Sequence, residues 1–227
     1  MHMLKSEKVY QENIKKDTII MRRAIEDDID TLVKISRISF PDQLIWCSRK
    51  QAAKAWKKFI NSKYQEVWVC QFNNEVVSVI RFEKNSSRCY KENMELKPGL
   101  VTVFGYLIVR PRLLFEKIIG RIINKSSTVK YYAKDINILV KNCMWCHTNA
   151  VLPKMRKKGL GSKMMSICER RGVELGYDSL IGFIKPGNKA SMRCHEKLGF
   201  KRVGKIKGEY LYIKMLSANN VINEKVT

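Results

Sequence analysis

Acidic side chains are scarce in this chain. Its 227 residues hold 21 Asp and Glu against 44 Lys and Arg, a formal charge of +23 with a pI of about 9.8, which points to anionic ligands or surfaces without naming one. The excess is uneven, +4 over residues 1–83, +8 over 84–141 and +11 over 142–227. Long apolar runs are also lacking. The most apolar stretch, Leu100 to Val109, is about half the length of a spanning helix and ends at Arg110 and Arg112, so no membrane span is expected. The first twenty residues have neither the apolar core nor the small-residue cleavage site of a secretory signal. Seven cysteines, an odd number without an export signal, fit reduced thiols, and a cytoplasmic setting is the expectation. No internal repeat of about 20–50 residues is visible. The 45% hydrophobic content excludes a disordered chain and suits one globular domain.

What is there reads in order. Residues 1–17 form a polar amino-terminal arm, expected to be mobile or loosely docked. Thr18 to Arg23 reads as a strand. Glu26, Asp27 and Asp28 then place negative charge where a helix begins, and Ile29, Leu32, Val33, Ile35, Ser36 and Phe40 carry that helix to Pro41. A second basic amphipathic helix spans Arg49 to Asn61, with Ala52, Ala53, Trp56, Phe59 and Ile60 as its apolar face. Val67–Phe72 and Val76–Phe82 alternate as strands around Asn73 and Asn74, residues that tolerate the positive φ of a two-residue hairpin turn. Residues 84–141 are the least readable part and are taken as an insertion; within them an amphipathic helix is expected from Pro111, with Leu113, Leu114, Ile118, Ile119, Ile122 and Ile123 on one side. From Asn142 the pattern is strand to Leu152, basic glycine loop, helix from Gly161 to Leu175, strand Ser179–Ile184, helix Asn188–Leu198, and strands at Lys201–Lys205 and Tyr210–Met215. Residues 217–227 are a polar tail. Strand, loop, helix, strand is a crossover pattern, and it predicts an α/β protein with a mixed sheet and helices on both faces.

Chemistry concentrates in residues 151–165, VLPKMRKKGLGSKMM. A strand that runs into a loop with Gly159 and Gly161, flanked by Arg156, Lys157 and Lys158 and opening into a helix, turns several backbone N–H groups towards one point. Such a loop, with the helix dipole behind it, suits a phosphate or pyrophosphate. It lacks the Gly-Lys-Ser/Thr ending of a Walker A loop and the spacing of a dinucleotide fingerprint. The second informative block is NKASMRCHEKLGF, Asn188 to Phe200, a polar helix start followed by a closure on Gly199. A third motif, Cys143-Met144-Trp145-Cys146-His147, has the spacing of haem attachment. In a strand, however, Cys143 and Cys146 face opposite ways, and neither haem nor metal is expected there.

Together the two blocks make the chain resemble the GCN5-related N-acetyltransferase (GNAT) family. The family's cofactor loop, Arg/Gln-x-x-Gly-x-Gly/Ala, is matched by Arg156, Gly159 and Gly161. Its later helix is matched by Asn188, Ser191, Glu196, Lys197, Gly199 and Phe200. The resemblance covers roughly Thr18 to Leu216 and implies one acyl-CoA N-acyltransferase domain over residues 18–216, built on a mostly antiparallel sheet. It implies acetyl-coenzyme A as co-substrate in a gap between the family's fourth and fifth strands. The pantetheine would pair with the backbone near Ala150 and Val151, and the pyrophosphate would lie on the N–H groups of Arg156, Lys157, Lys158, Gly159, Leu160, Gly161 and Ser162. Asn188 and Ser191 join the expected cofactor-binding residues.

The implied reaction is transfer of the acetyl group to a primary amine by direct attack. It needs orientation, removal of a proton from the ammonium, and protonation of the departing thiolate, without metal or covalent intermediate. At the position where the family often has a Tyr as the thiolate's acid, this chain has His195. For the base, His147 stands on the strand entering the cofactor gap, at a place where arylalkylamine acetyltransferases are similar in having a catalytic His; Glu83, at the hairpin end, is the alternative. The Tyr-to-His replacement keeps a second class open, a degenerate protein that binds coenzyme A without turnover. The charge keeps a third, an acetyltransferase directed at a ribosomal protein or RNA, although no zinc, stacking or helix-turn-helix signature accompanies it. The acceptor amine is not readable, and the oligomeric state, a dimer included, is open.

Overall fold

A computed structural model of the chain describes residues 9–14, 17–41, 43, 46, 48–84, 142–206 and 208–216. The polar tail, the Leu100–Val109 run and the helix expected from Pro111 lie outside the described residues. Those described fall into two compact units, one within Met1–Leu96 and His147–Ile167, the other within Lys97–Cys146 and Cys168–Thr227.

In the first unit the strands β1 (Tyr10–Ile14), β2 (Asp17–Arg23), β3 (Gln65–Phe72) and β4 (Glu75–Glu83) lie side by side in chain order, each antiparallel to the next. The last part of β5 (Cys143–Val151) follows beside β4. Ser78 Oγ donates to the Ala150 carbonyl at 2.9 Å, and the Leu152 N–H donates to the Val77 carbonyl at 2.9 Å. The hairpin turns on Asn73 (φ 50°) and Asn74 (φ 66°), the left-handed pair that a two-residue turn between twisted strands requires. Residues 10–14 are a strand where the sequence predicts a loose arm. A polar edge strand is held by backbone hydrogen bonds, which leave no trace in hydropathy, and the Tyr10 ring lies 5.6 Å from that of Trp68.

Helices α1 (Ile29–Ser39) and α2 (Arg49–Asn61) complete this unit. Ser48 caps α2 by accepting from the Gln51 N–H at 3.1 Å, satisfying one of the first-turn donors. The helix buries Ala52, Ala55, Trp56 and Phe59; Ala55 takes the place the sequence gives to Ala53. Trp56 stacks on Trp46 at 5.2 Å and meets Phe59 edge-on at 5.6 Å. Its indole N–H donates to Ser36 Oγ of α1 at 2.9 Å, so the polar end of a fully buried ring has the partner that burial demands.

The second unit holds the first part of β5, then β6 (Ser179–Ile184), β8 (Glu209–Met215) and β7 (Lys201–Ile206), side by side in that order. Cys143–Cys146 pairs parallel with Ser179–Gly182, and the other two pairings are antiparallel. Helix α3 (Leu160–Glu174) makes the crossover that a parallel pair needs, and α4 (Lys189–Lys197) precedes β7. Ile181, Leu211 and Ile213 form a core cluster with Cys143, Trp145 and Phe183 packed on it. β5 and α3 each pass from one unit to the other, at residues 146/147 and 167/168. The protein is mixed α/β with a mostly antiparallel sheet, as predicted. None of its described helices is long and apolar enough to cross a membrane.

Candidate active site

The site in the first unit begins with β4, whose last residue is Glu83, and β5, where His147 stands. His147 Nε2 and Glu83 Oε1 are 3.1 Å apart. The two residues that the sequence offers as alternative bases are therefore partners. Glu83 is 4% exposed while the His147 side chain is 35% exposed, so the imidazole is open to an incoming group and the carboxylate lies buried behind it.

Alternation along β4 puts Arg81 on the face of Glu83, and Gln65 stands opposite Glu83 in register. Arg81 Nη1 donates to Glu83 Oε1 at 3.2 Å and to Gln65 Oε1 at 2.5 Å, and its guanidinium lies 4.3 Å above the Phe59 ring. Burial pushes the Glu83 carboxyl up. The hydrogen bond and charge of His147, with those of Arg81, outweigh it and hold the group below the usual carboxylate range. Glu83 is thus a buried anion between two cations when His147 is protonated.

Asn149 lies two residues after His147 and shares its face of the strand. Its Nδ2 donates to the Gly161 carbonyl at 2.9 Å, and its Oδ1 is buried without a hydrogen-bond partner. This amide ties the strand of His147 to the first turn of α3. Between them runs the glycine loop. A single 3₁₀ turn, Pro153–Met155, leads to Arg156, whose Nε closes back on the Val151 carbonyl at 3.1 Å. Lys157 (φ 63°) and Gly159 (φ 77°) both take left-handed backbone, the alternation that turns successive N–H groups inward. Lys158 Nζ lies 5.2 Å above the Phe72 ring, and Lys154 pairs with Glu75 at 3.1 Å, so two of the loop's cations are drawn to the hairpin end.

The cradle suits a phosphate by one specific measure. A Cβ on Gly159 would have nothing within 4 Å, and one on Gly161 would meet Val151 Cγ2 at 3.8 Å and Asn149 Nδ2 at 4.0 Å. The protein itself leaves room for a side chain at both positions. Leu160, between them, is buried and anchors the turn, and Ser162 follows in the first turn of α3, where N–H groups lack intrahelical acceptors.

In the second unit Asn188, Ser191 and His195 are brought together on α4. Asn188 caps the helix, its Oδ1 accepting from the Ser191 N–H at 3.1 Å, and the Ser191 carbonyl accepts from His195 Nδ1 at 2.9 Å. His195 is buried, 4.9 Å from the Phe200 ring and 5.8 Å from Tyr212. Its Nε2 lies 3.1 Å from where a Cβ on Gly182 would be. Burial pushes the imidazole down, against the opposing influence of the Ser191 carbonyl and the Glu196 charge. The ring is neutral at pH 7, with its proton on Nδ1. Tyr212 Oη donates to Glu196 Oε1 at 2.8 Å beside it.

Sequence reasoning missed Arg81, Gln65 and the latch from Asn149 to Gly161. Gln65 reaches Arg81 through a hairpin register that shifts by one between Cys70 and Gln71, so the turn at Asn73 alone does not predict it.

A strand that passes through a glycine cradle into a helix and returns as a parallel strand is a crossover unit that several α/β folds share, and the acyl-CoA N-acyltransferase fold is the one common to the solved structures to which this chain is similar. Residues 115–200 match the model of the Acetyltransferase (GNAT) family, a stretch that begins inside the segment read as an insertion and includes both motif blocks. The resemblance to the GNAT family carried by those blocks is thereby borne out. Among solved structures, an N-acetyltransferase from Staphylococcus aureus Mu50 is 15% identical, with 88% of this chain and 99% of that one covered and a TM-score of 0.53. Ard1 from Thermoplasma volcanium is 13% identical over 88% and 98%, with a TM-score of 0.54. PaiA N-acetyltransferase from Thermoplasma acidophilum, solved in complex with coenzyme A, is 10% identical over 87% and 98%, with a TM-score of 0.52. At such identities the likeness is one of fold. No curated protein matches the chain.

Proposed function

We propose that the protein transfers an acetyl group from acetyl-coenzyme A to a primary amine, of a small molecule or a protein. The observation that carries this reading is the His147–Glu83 pair on the strand that leads into the glycine cradle. The co-substrate supplies an acetyl group already activated as a thioester. Residues 156–162 hold its phosphates through backbone N–H groups, and the backbone near Ala150 and Val151 receives the pantetheine. His147 takes the proton from the attacking ammonium, directly or through water. Glu83 fixes the ring through Nε2 and stabilises the imidazolium that forms. Asn149 keeps the cradle in place relative to His147 by holding the Gly161 carbonyl.

His195 holds the position of the thiolate's acid. Its one proton at neutral pH is directed at Ser191, so it is poorly placed to supply the larger share of acid catalysis. The test is incubation with acetyl-coenzyme A and a broad panel of amines, with acetylated products read by mass spectrometry. Product formation that falls in His147→Gln supports the proposal. Coenzyme binding with no product from any amine would make the protein a coenzyme A-binding member without turnover.

A further inference from the structure

We propose that Cys146 and Cys168 form a thiol–disulfide modification site that closes the segment bearing His147 and the glycine cradle into a covalent ring. Their Sγ atoms lie 3.0 Å apart and both cysteines are free thiols. Strand alternation explains why Cys146 is the one involved. Cys143 and Trp145 face the cluster of Ile181, Leu211 and Ile213. Met144 and Cys146 face α3, where Met144 Cε lies 3.4 Å from a Cβ built on Gly172 and Cys146 meets Cys168. The Cys-x-x-Cys spacing noted in the sequence is thus incidental, and the sulfur that matters is 22 positions further on.

Exposure divides the roles. Cys146 is partly exposed and Cys168 is fully buried, so an oxidant meets Cys146 first. With hydrogen peroxide as oxidant, the Cys146 thiolate attacks one peroxide oxygen and the O–O bond breaks, leaving a sulfenic acid and hydroxide, which takes up the thiol's proton as water. The Cys168 sulfur then attacks that of Cys146, the S–O bond breaks, and a second water leaves as the S–S bond forms. Two thiols have lost two electrons and two protons, and one peroxide has become two waters. A dithiol reductant reverses the step by exchange.

The placement gives the bond its consequence. The chain leaves one unit after Cys146 and returns to it at Cys168, and everything between, including His147, Asn149 and residues 156–162, lies inside the ring. Joining the ends of that segment removes conformations from the unfolded chain. The inference does not depend on the acetyl-transfer reading, because its readouts are covalent and thermal.

The experiment uses the full chain, reduced, freed of reductant and treated with a small excess of hydrogen peroxide. The expected intact mass falls by about 2 Da, a non-reducing peptide map links the Cys146 and Cys168 peptides, and dithiothreitol restores both free peptides. The oxidised protein is expected to unfold at a midpoint roughly 5–10 °C higher. Cys146→Ser, at the partly exposed position, abolishes the link. Alkylation of both cysteines to the same extent with and without peroxide overturns the proposal, as does a link between other cysteines or a link that leaves the midpoint unchanged.

Discussion

Glu83 Oε1 and His147 Nε2 meet at 3.1 Å with the carboxylate buried and the imidazole open. A carboxylate in that position orients the ring and stabilises its charged form without itself reaching the substrate. Glu83→Gln, which keeps the shape and removes the charge, is expected to lower kcat about tenfold or more, and His147→Gln about 100- to 1,000-fold. In the proposed mechanism Glu83 acts through His147, and the double variant should then be no slower than His147→Gln alone. Initial rates across a pH series would check this; additive losses would separate the two residues.

The glycines of the cradle differ in what they require. Gly159 sits at φ 77°, so Gly159→Ala should cost about 1 kcal/mol of stability through backbone conformation alone. At Gly161 a methyl meets only ordinary contacts with Val151 and Asn149. Gly161→Ala is therefore expected to unfold at the wild-type denaturant midpoint or slightly above it and, because the loop motif takes Gly or Ala at this position, to keep coenzyme A binding, whereas Gly161→Val is expected to weaken that binding at least tenfold by putting a branched side chain in the phosphate's path. Titration calorimetry with coenzyme A decides this, and wild-type affinity in Gly161→Val would remove the cradle from the proposal.

His195 links stability to pH. Its folded pKa is depressed below the ordinary 6.5 by burial, so the unfolded chain binds the proton more readily. Its contribution is fully present above pH 6.5 and is lost as pH falls through the depressed folded value. Glu83, depressed below 4.5, contributes in the same direction but only at lower pH. Urea unfolding of wild type and His195→Gln between about pH 7.5 and 5 should show the wild type losing stability with acidification more steeply than the variant. Parallel slopes would show that His195 is not the titrating group.

The hairpin offers a stabilising change. Asn74 adopts φ 66° as the second residue of a turn in which both central residues are left-handed, a position where glycine is preferred. Asn74→Gly is expected to raise stability by about 0.5–1 kcal/mol. Asn73→Ala should lower it by about 1–2 kcal/mol, since Asn73 Oδ1 also accepts from the Thr18 N–H at 3.1 Å. Urea midpoints of the two variants should move in opposite directions.

Elements with a local signature were legible in the sequence. Arg49–Asn61 as a helix, Ser179–Ile184 as a strand and the Asn73-Asn74 turn stand where spacing and turn chemistry put them. β1 was not legible, because a polar edge strand shows no alternation. β3 reads as alternating but is buried on both faces from Gln65 to Cys70, because flanking elements, not its own pattern, decide which sides are covered. Glu83 and His147 were each nameable, yet as competitors. Their pairing depends on β4 and β5 becoming neighbours across 64 positions of chain, which no periodicity reports. The Cys146–Cys168 contact and the Asn149 latch are tertiary in the same sense.

The four tryptophans are divided unevenly between the two units. Trp46, Trp56 and Trp68 are buried in the first, whereas Trp145, on the early part of β5, stands partly exposed in the second. Emission from the native protein is therefore mostly a signal of the first unit, with Trp145 the second unit's only indole. Subtracting the spectrum of Trp145→Phe from that of wild type isolates one fluorophore two residues before His147, and with it an optical record of the strand on which the proposed chemistry depends.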